Sequence, residues 1–143
     1  MTVKFAPSRD RDYAENLTKT NMAPYYQKRG IDWSHELFVK SWEAYDNFEV
    51  VSEGLRVGVV RFTYEENITY LRDFQLSSEF QGKGIGSESL QLALAHAMQR
   101  GSSEIRLRVF SENPAVSLYR KHGFVLVSEE NALITMSLKI ASQ

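Results

Sequence analysis

Hydrophobic and polar positions change period several times along this chain, and the order of the changes predicts its elements. TVKFA alternates and predicts a short strand; Asp10 then caps a helix to about Arg29, with Gly30 as its stop. Asp32 or Ser34 starts a second helix. Phe48 to Val51 and Leu55 to Tyr64 read as strands around a Glu53-Gly54 turn, a hairpin, and ITYLRDFQL reads as a further strand. Leu90, Ala93, Leu94, Ala97 and Met98 form a helical stripe closed by Gly101, after which EIRLRVF alternates with Ile105, Leu107 and Val109 on one face.

Asn113 followed by Pro114 is a helix start, because Asn accepts from free amides and Pro at the first helical position loses no hydrogen bond. That helix carries Ala115, Leu118, Tyr119 and His122 on one stripe and ends at Gly123. Two strands follow, the second with Ala132, Ile134, Met136, Leu138 and Ile140 on one face. The sum is an α/β chain of the α+β kind, with a mixed sheet covered by helices in the order β-α-α-β-β-β-α-β-α-β-β.

At 143 residues, with no repeat, linker or low-complexity tract, the span 1–143 is expected to form one domain. Net charge is -1 without a Lys/Arg stripe, which argues against nucleic acid or an acidic membrane surface as partner. The absence of cysteine excludes disulfides, thiolate nucleophiles and cysteine zinc sites. No apolar run approaches the roughly 18 residues of a membrane span, and MTVKFAPSRDRD lacks a signal-peptide core. These features together read as a cytoplasmic protein.

The candidate chemistry starts at EFQGKGIGSE, residues 79–88, where three glycines lie between a strand and a helix. A Walker loop would need glycine at Ser77 and Ser or Thr at Gly84, and a dinucleotide fingerprint would need glycine at Ser89; both fail. What remains is either a tight strand-to-helix turn or an anion site, in which unpaired helix amides and the helix dipole face a phosphate.

Gln81-Gly82-Lys83-Gly84-Ile85-Gly86 resembles the first signature of the GNAT superfamily, the acyl-CoA-dependent N-acetyltransferases. The run from Asn113 to Phe124, NPAVSLYRKHGF, is similar to that family's second signature, and the two stand in the family's order. YLRDFQL is also similar to the corresponding strand of diamine acetyltransferases, which carries Glu-Asp where this chain has Arg-Asp.

The resemblance implies a GNAT-like, mostly antiparallel mixed sheet and acetyl-CoA as co-substrate, with no metal. It implies that the amides of Gln81, Gly82, Lys83, Gly84, Ile85, Gly86 and Ser87 hold the CoA pyrophosphate. Main chain at Phe74 and Leu76 would pair with the pantetheine arm in a slot where two strands splay apart. Asn113 would touch the cofactor as well as cap its helix. Tyr119 would protonate the leaving thiolate, its ordinary pKa near 10 keeping it a donor at neutral pH; the competing reading is a core tyrosine.

The base is harder to name. An amine of pKa near 10.4 is neutral in about one molecule in a few thousand at pH 7, a cost of about 4–5 kcal/mol. The positions that serve in several family members are Tyr70 and Arg72 here, neither of them a base. Asp73 comes next, but strict alternation points it away from Tyr70 and Arg72, towards a cation beneath the sheet. Asp32 and Glu36 remain open as well. Tyr70 and Arg72 are then expected to face the substrate, with Arg72 either in a structural ion pair or binding an anionic group of the acceptor. The aromatics Tyr25, Tyr26, Trp33, Phe38 and Trp42 would wall the acceptor site.

The leading expectation is therefore an N-acetyltransferase that moves acetyl from acetyl-CoA to a primary amine of a small molecule or peptide by direct attack. A non-catalytic acyl-CoA-binding regulatory module is the alternative, and a homodimer is left open.

Overall fold

The computed structural model describes residues 2–140; Met1 and 141–143, the ends of the expected 1–143 domain, lie outside the described residues. The elements are β1 (Val3–Pro7), α1 (Arg11–Lys28), α2 (His35–Ala44), β2 (Asp46–Ser52), β3 (Leu55–Glu65) and β4 (Ile68–Leu76). A 3₁₀ turn (Ser78–Phe80), α3 (Ile85–Gln99), β5 (Glu104–Phe110), α4 (Ala115–Lys121), β6 (Val125–Glu130) and β7 (Leu133–Lys139) follow. The seven strands form one sheet in the order β1-β2-β3-β4-β5-β7-β6. Every neighbouring pair is antiparallel except β4 and β5, whose parallel pairing requires the crossover that α3 provides. This is the mixed sheet and element order expected from the sequence.

The helix starts follow from capping. Asp10 accepts from Tyr13 N–H at 3.0 Å, and Ser34, not Asp32, caps α2 by accepting from Leu37 N–H at 3.2 Å. Asn113 Oδ1 accepts from Ala115 N–H at 2.9 Å while Pro114 is already helical, at φ −56° and ψ −24°.

Three sequence expectations are corrected at element margins. Strand β2 starts at Asp46, two residues before Phe48, with Asp46 paired to Phe62. Met98 is exposed, because the buried seam of α3 runs through Ile85, Leu90, Ala93 and Ala97 and leaves the sheet there. Ala132 sits in the β6–β7 turn with Asn131, both at positive φ (67° and 53°), so the buried face of β7 begins at Ile134.

The sheet has two unlike faces. Helices α3 and α4 cover one, burying Val50, Val60, Phe62, Leu71, Leu107 and Met136 with Ile85, Leu90 and Tyr119. Each large side chain moved from water to this core contributes about 1.5–3 kcal/mol. Helices α1 and α2 cover part of the other, where a smaller cluster joins Ala14, Phe38 and Val59 with Trp33 and Trp42 around it.

A bulge in β4 sets which side chains reach that second face. Phe62 pairs with Leu71 but Arg61 pairs with Asp73, so Arg72 is an extra residue with no partner on β3. Asp73 therefore shares a face with Arg61, and through Thr63 with Tyr70. The expectation from strict alternation, which put Asp73 opposite Tyr70, is overturned by this one inserted position. Among the described residues, no helix is long and apolar enough to cross a membrane.

Candidate active site

Strands β4 and β5 pair only from Ile68 to Leu71 against Glu104 to Leu107 and then part. Ser77 N–H donates to Val57 at 3.0 Å, so Gln75 also points its main chain at β3. By the alternation of antiparallel pairs, Phe74 and Leu76 turn their main-chain groups to the open side. Helix α1 bridges the gap: Asn21 Nδ2 donates to Leu76 O at 3.0 Å, while Tyr25 stacks on Phe110 with ring centres 5.7 Å apart. Gln81 Nε2 also donates to Leu76 O at 3.0 Å. Of the two residues expected to pair with a pantetheine arm, Leu76 thus has its carbonyl already engaged.

The glycine turn closes the wide end of the gap. Gly84 caps α3 at φ 84°, a left-handed conformation that favours glycine, and supplies no side-chain cap. The first amides of α3 are accordingly left without side-chain partners at that cap. A Cβ on Gly82 or Gly84 would meet nothing within 4 Å, so the space above them is open. Gly86 is different: a Cβ there would stand 3.3 Å from Leu118, and the bare backbone lets α3 pack against α4. Ser87 Oγ bonds to His122 Nε2 at 2.8 Å, which ties the first turn of α3 to the end of α4. Lys83 is exposed, 5.9 Å above the Phe80 ring.

The two residues expected to act in catalysis meet electrostatically. Tyr119 is buried, packs its ring against Phe124 at 5.7 Å and makes no side-chain hydrogen bond among the described residues. Burial first, and the charge of Asp73 second, push its hydroxyl above the ordinary tyrosine range. Asp73 Oδ2 accepts from Arg61 Nε at 3.0 Å and Nη2 at 2.8 Å. Arg61 is almost wholly buried, also donates to Ser41 Oγ at 2.9 Å, and lies over the rings of Phe38 and Tyr45. Desolvation raises the Asp73 carboxyl despite the opposing pull of Arg61. Tyr26, whose ring lies tilted against Trp33 at 5.9 Å, is likewise raised by burial and by Asp73.

Tyr70 and Arg72 line a cavity of about 430 Å³ on the α2 side of the sheet, where β4 and β5 begin to part. Arg72 is exposed, donates from Nε to Thr63 Oγ1 at 2.8 Å and lies 4.4 Å over the Tyr70 ring. The cation paired with Asp73 is Arg61, not Arg72. Asp32 and Glu36 are exposed and enter none of these contacts. A more open cavity of about 550 Å³ lies by the N-terminal half of α1, between Asp10, Tyr13, Arg56 and Ser77, away from every expected catalytic residue.

Sequence reading missed Arg61, Asn21, Arg106 and Arg108. Arg61 sits among valines in a strand and carries no local signal of its buried partner. Two histidines whose partners do not show in the sequence each have one: His35 Nδ1 meets Glu15 at 2.8 Å, and His96 Nε2 meets Tyr64 at 2.6 Å. Trp33, Phe38 and Trp42 belong to the cluster around Val59.

The family model of the acetyltransferase (GNAT) family matches residues 9–124. No curated protein matches the chain. Among solved structures, PaiA N-acetyltransferase of Thermoplasma acidophilum in complex with coenzyme A aligns with a TM-score of 0.73 at 19% identity, over 98% of this chain and 100% of that one. A GNAT family acetyltransferase of Elizabethkingia anophelis with acetyl-CoA bound aligns at 0.76 and 15% identity, over 96% and 98%. The ribosomal-protein-S18-alanine N-acetyltransferase of Escherichia coli aligns at 0.71 and 19%, over 99% and 96%.

Proposed function

The chain belongs to the GNAT family of acetyltransferases, and from that premise we propose that it acetylates a primary amine of a small molecule or peptide by direct attack on acetyl-CoA. Acetyl-CoA, the co-substrate of this family, supplies the activated acetyl group. The open amides from Gln81 to Ser87 and the α3 dipole suit a pyrophosphate. Phe74 offers its main chain to the pantetheine arm, as does the N–H of Leu76. Asn113, occupied through Oδ1 by the cap, keeps its amide nitrogen for the cofactor.

The amine nitrogen forms the new C–N bond as the thioester C–S bond breaks. Tyr119 gives its proton to the leaving sulfur, and Asp73 takes the amine proton through water. Burial suits both: it keeps Tyr119 protonated and brings Asp73 above the usual carboxylate range, nearer the pH at which a base is useful. The observation that carries this reading is the parting of β4 and β5 beyond Leu71 and Leu107, with a tyrosine hydroxyl in the second-signature helix beside it that has no hydrogen-bond partner among the described residues.

The test is release of CoA from acetyl-CoA across a panel of primary amines, with mass spectrometry of the products. An N-acetylated product is the expected result. Acetyl-CoA that binds yet gives no product with any amine would leave the alternative, an acyl-CoA-binding regulatory module. The engagement of Asp73 by Arg61 is the observation that favours that second reading.

A further inference from the structure

We infer that the cavity between β4, β5 and the β6–β7 hairpin is an oxyanion subsite, so that the amine acetylated carries a carboxylate or a phosphate. This rests on the N-acetyltransferase reading in making the occupant an acceptor, and it narrows that reading to one substrate class.

The cavity holds about 430 Å³, a size suited to a small polar molecule. Three arginines line it, Arg72, Arg106 and Arg108, together with Tyr45, Tyr70, Ser128 and Thr135, and no Asp or Glu is in its lining. Tyr70 pairs with Arg106 across the β4–β5 ladder, and Arg108 stands two residues further along the same face of β5. The three guanidiniums therefore converge from two strands.

Their charges are only partly met by acids, Arg72 by its neighbour Asp73 across space and Arg106 by Glu104. Buried Glu104 accepts from Arg106, from Ser137 Oγ at 2.6 Å and from Lys139 Nζ at 2.9 Å, so one carboxylate serves two cations. Arg72 spends only its Nε, on the neutral Thr63 hydroxyl. Arg108 has no ion-pair partner among the described residues. The forks of Arg72 and Arg108, free of a direct ion pair among the described residues, can grip a carboxylate or phosphate through paired bonds. They also repel a polyamine, whose every group is cationic at neutral pH.

Position links the subsite to the chemistry. Leu71 and Leu107, the last paired residues before the gap, also line the cavity, so an anion held there leaves the rest of its molecule pointing at the gap. An amino acid or an aminoalkyl phosphate meets both demands at once, with its amine at the gap and its anion on the arginines.

The experiment has a kinetic and a binding arm, both on the full chain. In the first, kcat/KM is measured for ω-amino acids of increasing length against their carboxamides, for phosphoethanolamine against ethanolamine, and for spermidine. In the second, the CoA-loaded protein is titrated calorimetrically with the N-acetylated form of each acid and each carboxamide, which removes the amine and needs no turnover. At least one anion-bearing member should exceed its neutral partner by about tenfold or more in both arms, and the ratio should fall to within about twofold in Arg72→Gln and in Arg108→Gln. Whether the carboxylates or phosphoethanolamine lead identifies the anion. Equal binding of charged and neutral members, a preference for spermidine, or a ratio that survives both substitutions overturns the subsite. Selective binding of the acids without acetylation of any amine overturns the proposed reaction and leaves the subsite standing.

Discussion

The two faces of the sheet divide hydrocarbon from charge. Under α3 and α4 the residues that meet the sheet are almost all hydrocarbon, with Phe62, Leu90 and Met136 fully out of water. Under α1 and α2 the same strands present Arg61, Asp73, Tyr70, Arg106 and Arg108, and the helices cover that face only in part. The first face gains from every methylene it buries. The second carries desolvated charge, which costs free energy unless each ion is met by a partner. Tyr119 lies on the first face and Asp73 on the second, and the gap between β4 and β5 is where the charge of one acts on the proton of the other.

Substitutions at adjacent positions of β3 test this division. Phe62→Ala on the hydrocarbon face should cost about 3–5 kcal/mol in a urea titration, with little dependence on pH. Arg61→Met, one residue away, should cost a similar amount, about 3–5 kcal/mol, through the carboxylate it leaves alone. The pH dependence separates the two. The folded-state carboxyl of Asp73 is already raised, so its contribution is most favourable at low pH and is lost as pH rises through the folded value. In Arg61→Met that loss should deepen towards alkaline pH, and adding Asp73→Asn should restore most of the stability. A pH-independent loss in Arg61→Met would show that packing over Phe38 and Tyr45, and not the ion pair, is what Arg61 supplies.

The next effect in size concerns the proton that Tyr119 holds. Tyr119→Phe keeps the ring in its core position and removes the donor, so turnover should fall about 10²–10³-fold while acetyl-CoA affinity stays within about twofold. Because burial and Asp73 both raise the hydroxyl, the parent should show no loss of activity from its ionisation below about pH 10. Turnover within twofold of the parent across pH 7 to 9 would return Tyr119 to a packing role.

The smallest of the set lies at the end of the sheet, which belongs to neither face. Gly84→Asp should weaken acetyl-CoA about 100-fold, by placing a carboxylate in the open space over the α3 amides. Gly84→Ala meets no atom there, and should lose stability of about 1 kcal/mol from its positive φ while retaining much more of the affinity. Calorimetry on the pair separates charge from strain; equal affinities would move the pyrophosphate elsewhere.

The proposed cofactor half of the site was legible in the sequence as backbone geometry, and the proposed acceptor half was not. The glycine turn is defined by backbone, and glycine is the one residue that adopts a left-handed cap at no steric cost, so its conformation writes itself into composition. Asn113 and Pro114 are legible for the same reason, since a helix start is a local event. Arg61 meets Asp73 only through strand pairing, Arg106 and Arg108 line a cavity that the same pairing builds, and an arginine in a strand looks the same whether it meets water or Asp73. The side of β4 on which Asp73 stands was misread because the bulge exists only in the register with β3.

That bulge also changes what an edit to the gene would do. Losing one residue from a strand is ordinarily among the harshest changes it can suffer, because each later side chain crosses to the opposite face. At Arg72 the arithmetic reverses. Leu71 and Asp73 already pair with the consecutive residues Phe62 and Arg61, so the ladder counts as though Arg72 were absent. Deleting it would leave Asp73 against Arg61 and Phe74 against Val60, whereas deleting Gln75 would turn every residue before it or after it the wrong way. In length, the strand carries one residue that its neighbour does not require, and that residue is a guanidinium at the edge of the cavity.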